Sequence, residues 1–136
     1  MRTFYIFSID KNVINLTKDD SYQLFNTFKK IKNLKNEDFS LGINLYEQVA
    51  IPITKDKYNK SLFKFYDESD FYYKFKDNHT YINKYRNEES YLKVSNACLK
   101  VESNLSNPDF FKFLKKFHDL FACDFENCDY FWMDML

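Results

Sequence analysis

Residues 123–128 read Cys-Asp-Phe-Glu-Asn-Cys, two thiols separated by four residues, two of them acidic. Metal binding and thiol redox are the chemistries open to such a pair. A structural zinc takes four soft ligands closing a tetrahedron, usually delivered as two close pairs. Here there is one loose pair; Cys98 is a possible third ligand, and His79 and His118 lie in other stretches with no spacing that makes them converge. Thioredoxin-like chemistry wants a two-residue spacer at a helix N-terminus, which lowers one thiol pKa, whereas these cysteines sit inside strand-like sequence. A hairpin accounts for the spacing more simply. Phe121, Cys123 and Phe125 alternate inward, Glu126 and Asn127 make the turn, and the chain returns through Tyr130, Phe131 and Trp132, leaving Cys123 as a small buried hydrophobe. His118 precedes Cys123 by five residues, but a nucleophile pair also needs an orienting group and an oxyanion hole, and no Gly-rich stretch supplies them. No catalytic residue, metal or cofactor is therefore expected.

The composition bounds what can position these residues. At 136 residues the chain fits one domain, 1–136, able to bury roughly 65–70% of its unfolded surface. Sixteen Phe and eleven Tyr against one Gly and two Pro imply an aromatic core with few loop punctuators. Twenty basic and twenty acidic side chains cancel, so no net field draws the chain to nucleic acid or an anionic membrane. Lys29, Lys30, Lys32 and Lys35 cluster early, and five acids follow Lys116 with no Lys or Arg; solvated faces explain both. The apolar run near the N-terminus is too short for a secretory signal or a membrane span. Three cysteines without an export signal fit reduced thiols in the cytoplasm.

The hydrophobic periods predict an α+β domain: a mainly antiparallel sheet with a central N-terminal strand, early helices, and one late helix packed on it. Residues 3–9 are apolar on both alternating faces, as in a strand covered on both sides. Leu24, Phe28, Ile31 and Leu34 stripe a helix over 20–34, with Asp20 and Gln23 spaced as a capping box. Asn36 is placed to cap a second helix, with Glu37 and Asp38 at its positive end and Leu41, Leu45 and Val49 inward. A glycine inside a helix costs about 1 kcal/mol relative to alanine, so Gly42 suggests close approach of another backbone. Pro52 stops this helix, and Thr54 starts a third, striped by Tyr58, Leu62 and Phe65. From about residue 71 the period becomes alternating, as in a meander whose Leu92, Val94, Leu99 and Val101 share a face. Asn107 and Pro108 cap and open the last helix, with Phe110, Phe113, Leu114 and Phe117 inward.

Taken together, the opening RTFYIFSIDKNVINL, the middle HTYINKYRNEESYLKVSNACLKVES and the ending LFACDFENCDYFWMD resemble the sporulation inhibitor of replication family of Gram-positive bacteria, nearly end to end. The resemblance implies a small cytosolic α+β protein without catalytic activity that binds the N-terminal domain of the chromosomal replication initiator and hinders initiation. It also implies that the segment after the first strand contacts the initiator, with aromatic side chains at the positions of Val13 and Thr17. This chain has neither ring. Ile14, Leu16, Asn44 and Gln48, placed by extrapolation from the fold rather than by motif, would complete a different surface there. The alternative is an interaction module of the same fold with another partner, or a weak single-stranded nucleic-acid binder using rings interleaved with lysines in FYYKFK and YINKY.

Overall fold

Both alternating sets of the first strand pack against a core, on opposite faces of one sheet. In a computed structural model describing residues 1–34 and 39–136, β1 (Arg2–Ile9) sends Phe4 and Ile6 to one core and Ile9 to another, with Phe7 packed against the second. After it come α1 (Lys11–Thr17), α2 (Tyr22–Lys32), α3 (Phe39–Val49), β2 (Ala50–Ile51) and α4 (Lys55–Phe65). Strands β3 (Tyr72–Phe75), β4 (Asn78–Asn83), β5 (Glu88–Val94) and β6 (Leu99–Ser103) follow. The chain ends with α5 (Phe110–Leu114), β7 (Leu120–Asp124), β8 (Asp129–Trp132) and a 3-10 turn, Met133–Met135.

Among the described residues the strands form one sheet in the order β3-β4-β5-β6-β1-β7-β8, with β2 also paired to β1 and every pairing antiparallel. The fold is α+β with a mainly antiparallel sheet, and β1 lies inside it, between β6 and β7. Alternation along each strand sorts the side chains. On the front face, Leu92, Val94, Leu99, Val101, Leu120 and Ala122 pack with α4 and α5 through Tyr58, Leu62, Phe110 and Leu114. Phe4, Phe111 and Phe131 meet edge to face there at 5.0, 6.1 and 5.9 Å, the geometry the ring quadrupole favours. On the back face, α1, α2 and α3 cover Ile9, Phe121 and Cys123; Phe7 stacks on Phe28 at 3.9 Å. Truncating Phe4 or Phe28, each nearly fully buried, would cost about 3–5 kcal/mol.

Several helix boundaries differ from expectation. The Asp20–Gln23 capping box does not form. Ser21 holds the cap position of α2 and makes no side-chain cap bond, because its hydroxyl donates to the Thr17 carbonyl and accepts from the Trp132 indole. Helix α3 ends at Val49, before Pro52 is reached, since Ala50 and Ile51 pair with Ile9 and Ser8. Leu41 is exposed rather than inward; the half-buried stripe runs Gly42, Leu45, Tyr46, Val49. The nearest described heavy atom to a Cβ at Gly42 is Leu34 Cδ1, at 3.4 Å, a side chain and not a neighbouring backbone. The last helix begins after Asp109 instead of at Asn107–Pro108. Asn36, Glu37 and Asp38 lie outside the described residues.

Candidate protein-binding surface

Helix α1 forms because its N-terminus is capped and its inner side finds a core. The Asp10 carboxylate accepts the Asn12 N–H at 2.9 Å, satisfying one orphan donor of the first turn. Val13 and Ile14 are half-buried against the back core, and the Thr17 hydroxyl donates to the Val13 carbonyl at 2.6 Å. The far end is moored to the C-terminus. Lys18 pairs with Asp134 at 3.0 Å and sits 4.5 Å from the centroid of the Trp132 ring. Burial pulls the Asp134 pKa up, but hydrogen bonds from Lys18 and His118, with the charge of Lys18, outweigh it and leave the carboxyl below its ordinary range. This mooring matters because seven residues are too few for a helix to hold by itself.

The C-terminal end of helix α3 meets the N-terminal end of α1. The Asp10 N–H donates to the Val49 carbonyl at 2.9 Å, and Tyr46 and Val49 pack on the same core as Val13 and Ile14. The Tyr46 hydroxyl donates to the Ala97 carbonyl at 2.8 Å, which pins α3 to the β5–β6 turn. Leu16, 83% exposed, projects from α1. Asn44 and Gln48, one turn apart, are exposed on α3. Thus the expected surface residues occupy two helices that meet at Asp10 and Val49: Leu16, Asn44 and Gln48 face solvent, while Val13, Ile14 and Thr17 are divided between core and surface. Sequence reasoning missed Leu41 and Ile43, 48% and 40% exposed on α3. The signal was available in Tyr46, whose ring belongs inward and shifts the buried stripe off Leu41.

The residues that suggested chemistry do not form one site. Burial first, then the neighbouring Cys98, pushes the Cys123 thiol well above its ordinary pKa, and burial also raises Cys98. Both stay protonated and unreactive near neutrality. Cys128 is exposed in the β7–β8 turn. His118 contacts Asp134 at 3.2 Å. His79 is fully buried between the Tyr72 hydroxyl at 2.7 Å and the Asn59 side chain at 2.8 Å. Asn59 gives an amide N–H to Asp77, so its carbonyl faces His79, the ring proton sits on Nε2, and Tyr72 donates to Nδ1. Among the described residues, no three His, Cys, Asp or Glu side chains gather as a set able to hold a metal ion.

A second polar group, invisible as a motif, ties α5 to the sheet. Glu88, on β5, accepts from Ser90 at 2.6 Å and from the Asp109 N–H at 2.8 Å, while Asp109 accepts from Tyr66 at 2.9 Å. Arg86 lies 3.5 Å from Glu88 and 3.3 Å from Asp109. Of the five acids after Lys116, four are engaged internally: Asp119 with Ser8, Asp124 and Asp129 with Arg2, and Asp134 with Lys18. These four acids are therefore used inside the fold rather than serving only as a solvated face. No described helix is long and apolar enough to cross a membrane. Compared with known proteins, the chain matches no family model, and no curated protein matches it.

Proposed function

We propose that this protein is a non-catalytic regulator that binds the N-terminal domain of the replication initiator and lowers initiation by covering it. The likeness of three stretches to the sporulation inhibitor of replication family motivates the reading. The observation that carries it is helix α1, capped and moored, which presents the exposed Leu16, with Asn44 and Gln48 exposed on α3, whose C-terminal end meets the start of α1. Leu16 gives an apolar contact that is desolvated on docking, and Asn44 and Gln48 supply donors and acceptors able to fix register. A short helix held at both ends loses little freedom on binding, which favours affinity. Without rings at Val13 and Thr17 the interface lacks the anchors that usually dominate binding energy, so affinity falls below that of a chain carrying them.

Amide chemical-shift mapping tests the placement. Adding the unlabelled initiator domain to the isotopically labelled protein should move resonances of residues 11–18 and 43–49 and leave those of β3 and β4 in place. Shifts confined to another face would leave the partner standing and remove this surface. No shift anywhere at saturating concentration would remove both.

A further inference from the structure

On the front of the sheet, opposite α1 and α3, helix α4 and the edge strand β3 enclose an open groove of about 630 Å³. Asn59, Lys60 and Phe63 line it from α4, and Lys74, Lys76 and Asp77 line it from β3 and its turn. Lys76 and Asp77 form a two-residue turn closed by the Phe75–Asn78 pair, which such hairpins join by hydrogen bonds. Alternation makes Tyr73–Thr80 the next bonded pair, and the Ile82 N–H donating to the Phe71 carbonyl at 2.9 Å continues the series. The N–H and C=O groups of Tyr72 and Lys74 therefore point away from β4, and among the described residues no strand lies beyond β3.

Charge identifies what fits there. Lys60, Lys74 and Lys76 have no carboxylate within ion-pair distance among the described residues, whereas Asp77 is held by Lys55 at 2.8 Å and by Asn59 at 2.9 Å. With Lys55 and Asp56 counted, four lysines face two aspartates (4 − 2 = +2). Lysines on an edge also deter pairing with neutral or basic strands, which leaves an acidic strand as the favoured visitor. Tyr73 and Phe75 turn their rings to the other side of the edge and are 61% and 67% exposed. Alternate side chains of an added strand would meet lysines on one side and rings on the other.

We propose that the β3 edge and the α4 groove bind an extended acidic segment of a partner protein by adding it to the sheet, with its carboxylates toward Lys60, Lys74 and Lys76 and its apolar residues against Tyr73 and Phe75. This is strand addition between an edge strand and a helix, and it is independent of the α1–α3 surface.

Fluorescence anisotropy with a labelled peptide alternating glutamate and valine tests it on the full chain. Saturable binding is expected, absent for a lysine–valine peptide and weakened about tenfold or more by Lys60→Glu with Lys74→Glu. Methylating alternate peptide nitrogens, which leaves every charge in place, should abolish binding. So should Lys74→Pro, which removes an N–H the fold does not use; if that variant fails to fold by circular dichroism, the Lys60→Glu/Lys74→Glu pair and the methylated peptide decide. Equal binding of the methylated peptide, displacement by a single-stranded oligonucleotide as efficient as by unlabelled peptide, or no binding at all would overturn the proposal.

Discussion

His79 shows how one buried side chain sets a property of the whole. Its ring is sealed in neutral form between Tyr72 and Asn59; burial first, then the charge of Lys74, lowers its pKa to about 4, against a smaller opposing pull from Asp77. The unfolded chain takes up the proton first as pH falls, near the ordinary value of about 6.5. Stability from His79 is therefore complete above that value and is lost as pH drops toward 4. We expect urea unfolding to report a loss of about 2 kcal/mol between pH 7 and pH 4.5, less than the full shift because Tyr72 beside the ring is itself only half-buried. A flat profile would show that the ring is not held neutral. The carboxylates of Asp77, Asp124 and Asp134, all lowered, lose their share at lower pH. Cys128 carries a different strain: it is exposed with φ 51°, a region that suits glycine. Cys128→Gly is expected to raise stability by up to about 1 kcal/mol in thermal unfolding. The inward role of Cys123 was legible, because alternation with Phe121 and Phe125 needs only neighbouring residues. That of His79 was not, because Asn59 reaches it from a helix twenty residues away.

Elements were legible where one period persisted. The switch to alternation near residue 71 corresponds to β3, and Leu92, Val94, Leu99 and Val101 do share the front core. Boundaries failed where a cap residue had tertiary work. Asp109, two residues beyond the Asn107 cap expected from sequence, gives its N–H to Glu88 and its carboxylate to Tyr66, Arg86 and Lys112, so the helix opens from the sheet contact. Removing Arg86 takes the cation from Glu88, while Asp109 keeps Lys112 at 3.1 Å. Arg86→Met should cost about 1–2 kcal/mol in chemical denaturation, because the guanidinium is 40% exposed and Lys112 remains on Asp109; a change under about 0.5 kcal/mol would mean that Arg86 does little to hold α5 to the sheet. Of the candidate surface, the segment after β1 was marked by resemblance, but its mooring by Lys18, Asp134 and Trp132 joins opposite ends of the chain and has no local signature.

At the scale of the molecule, a sheet covered by different helices on its two faces separates two surfaces. The back carries α1 and α3, an apolar and amide surface without a dominant charge; the front carries the lysine-lined groove at the β3 edge. Balanced net charge and internally paired C-terminal acids remove long-range steering as a source of partner choice, so recognition rests on local shape and side-chain chemistry. The decisive measurement is calorimetric titration of the replication initiator's N-terminal domain into the wild-type protein and into the Val13→Phe/Thr17→Tyr double variant, both first shown to be folded. Wild type is expected to bind, and the double variant to bind more tightly by about 2 kcal/mol, roughly thirtyfold. No heat of binding for either protein would contradict initiator recognition by this surface.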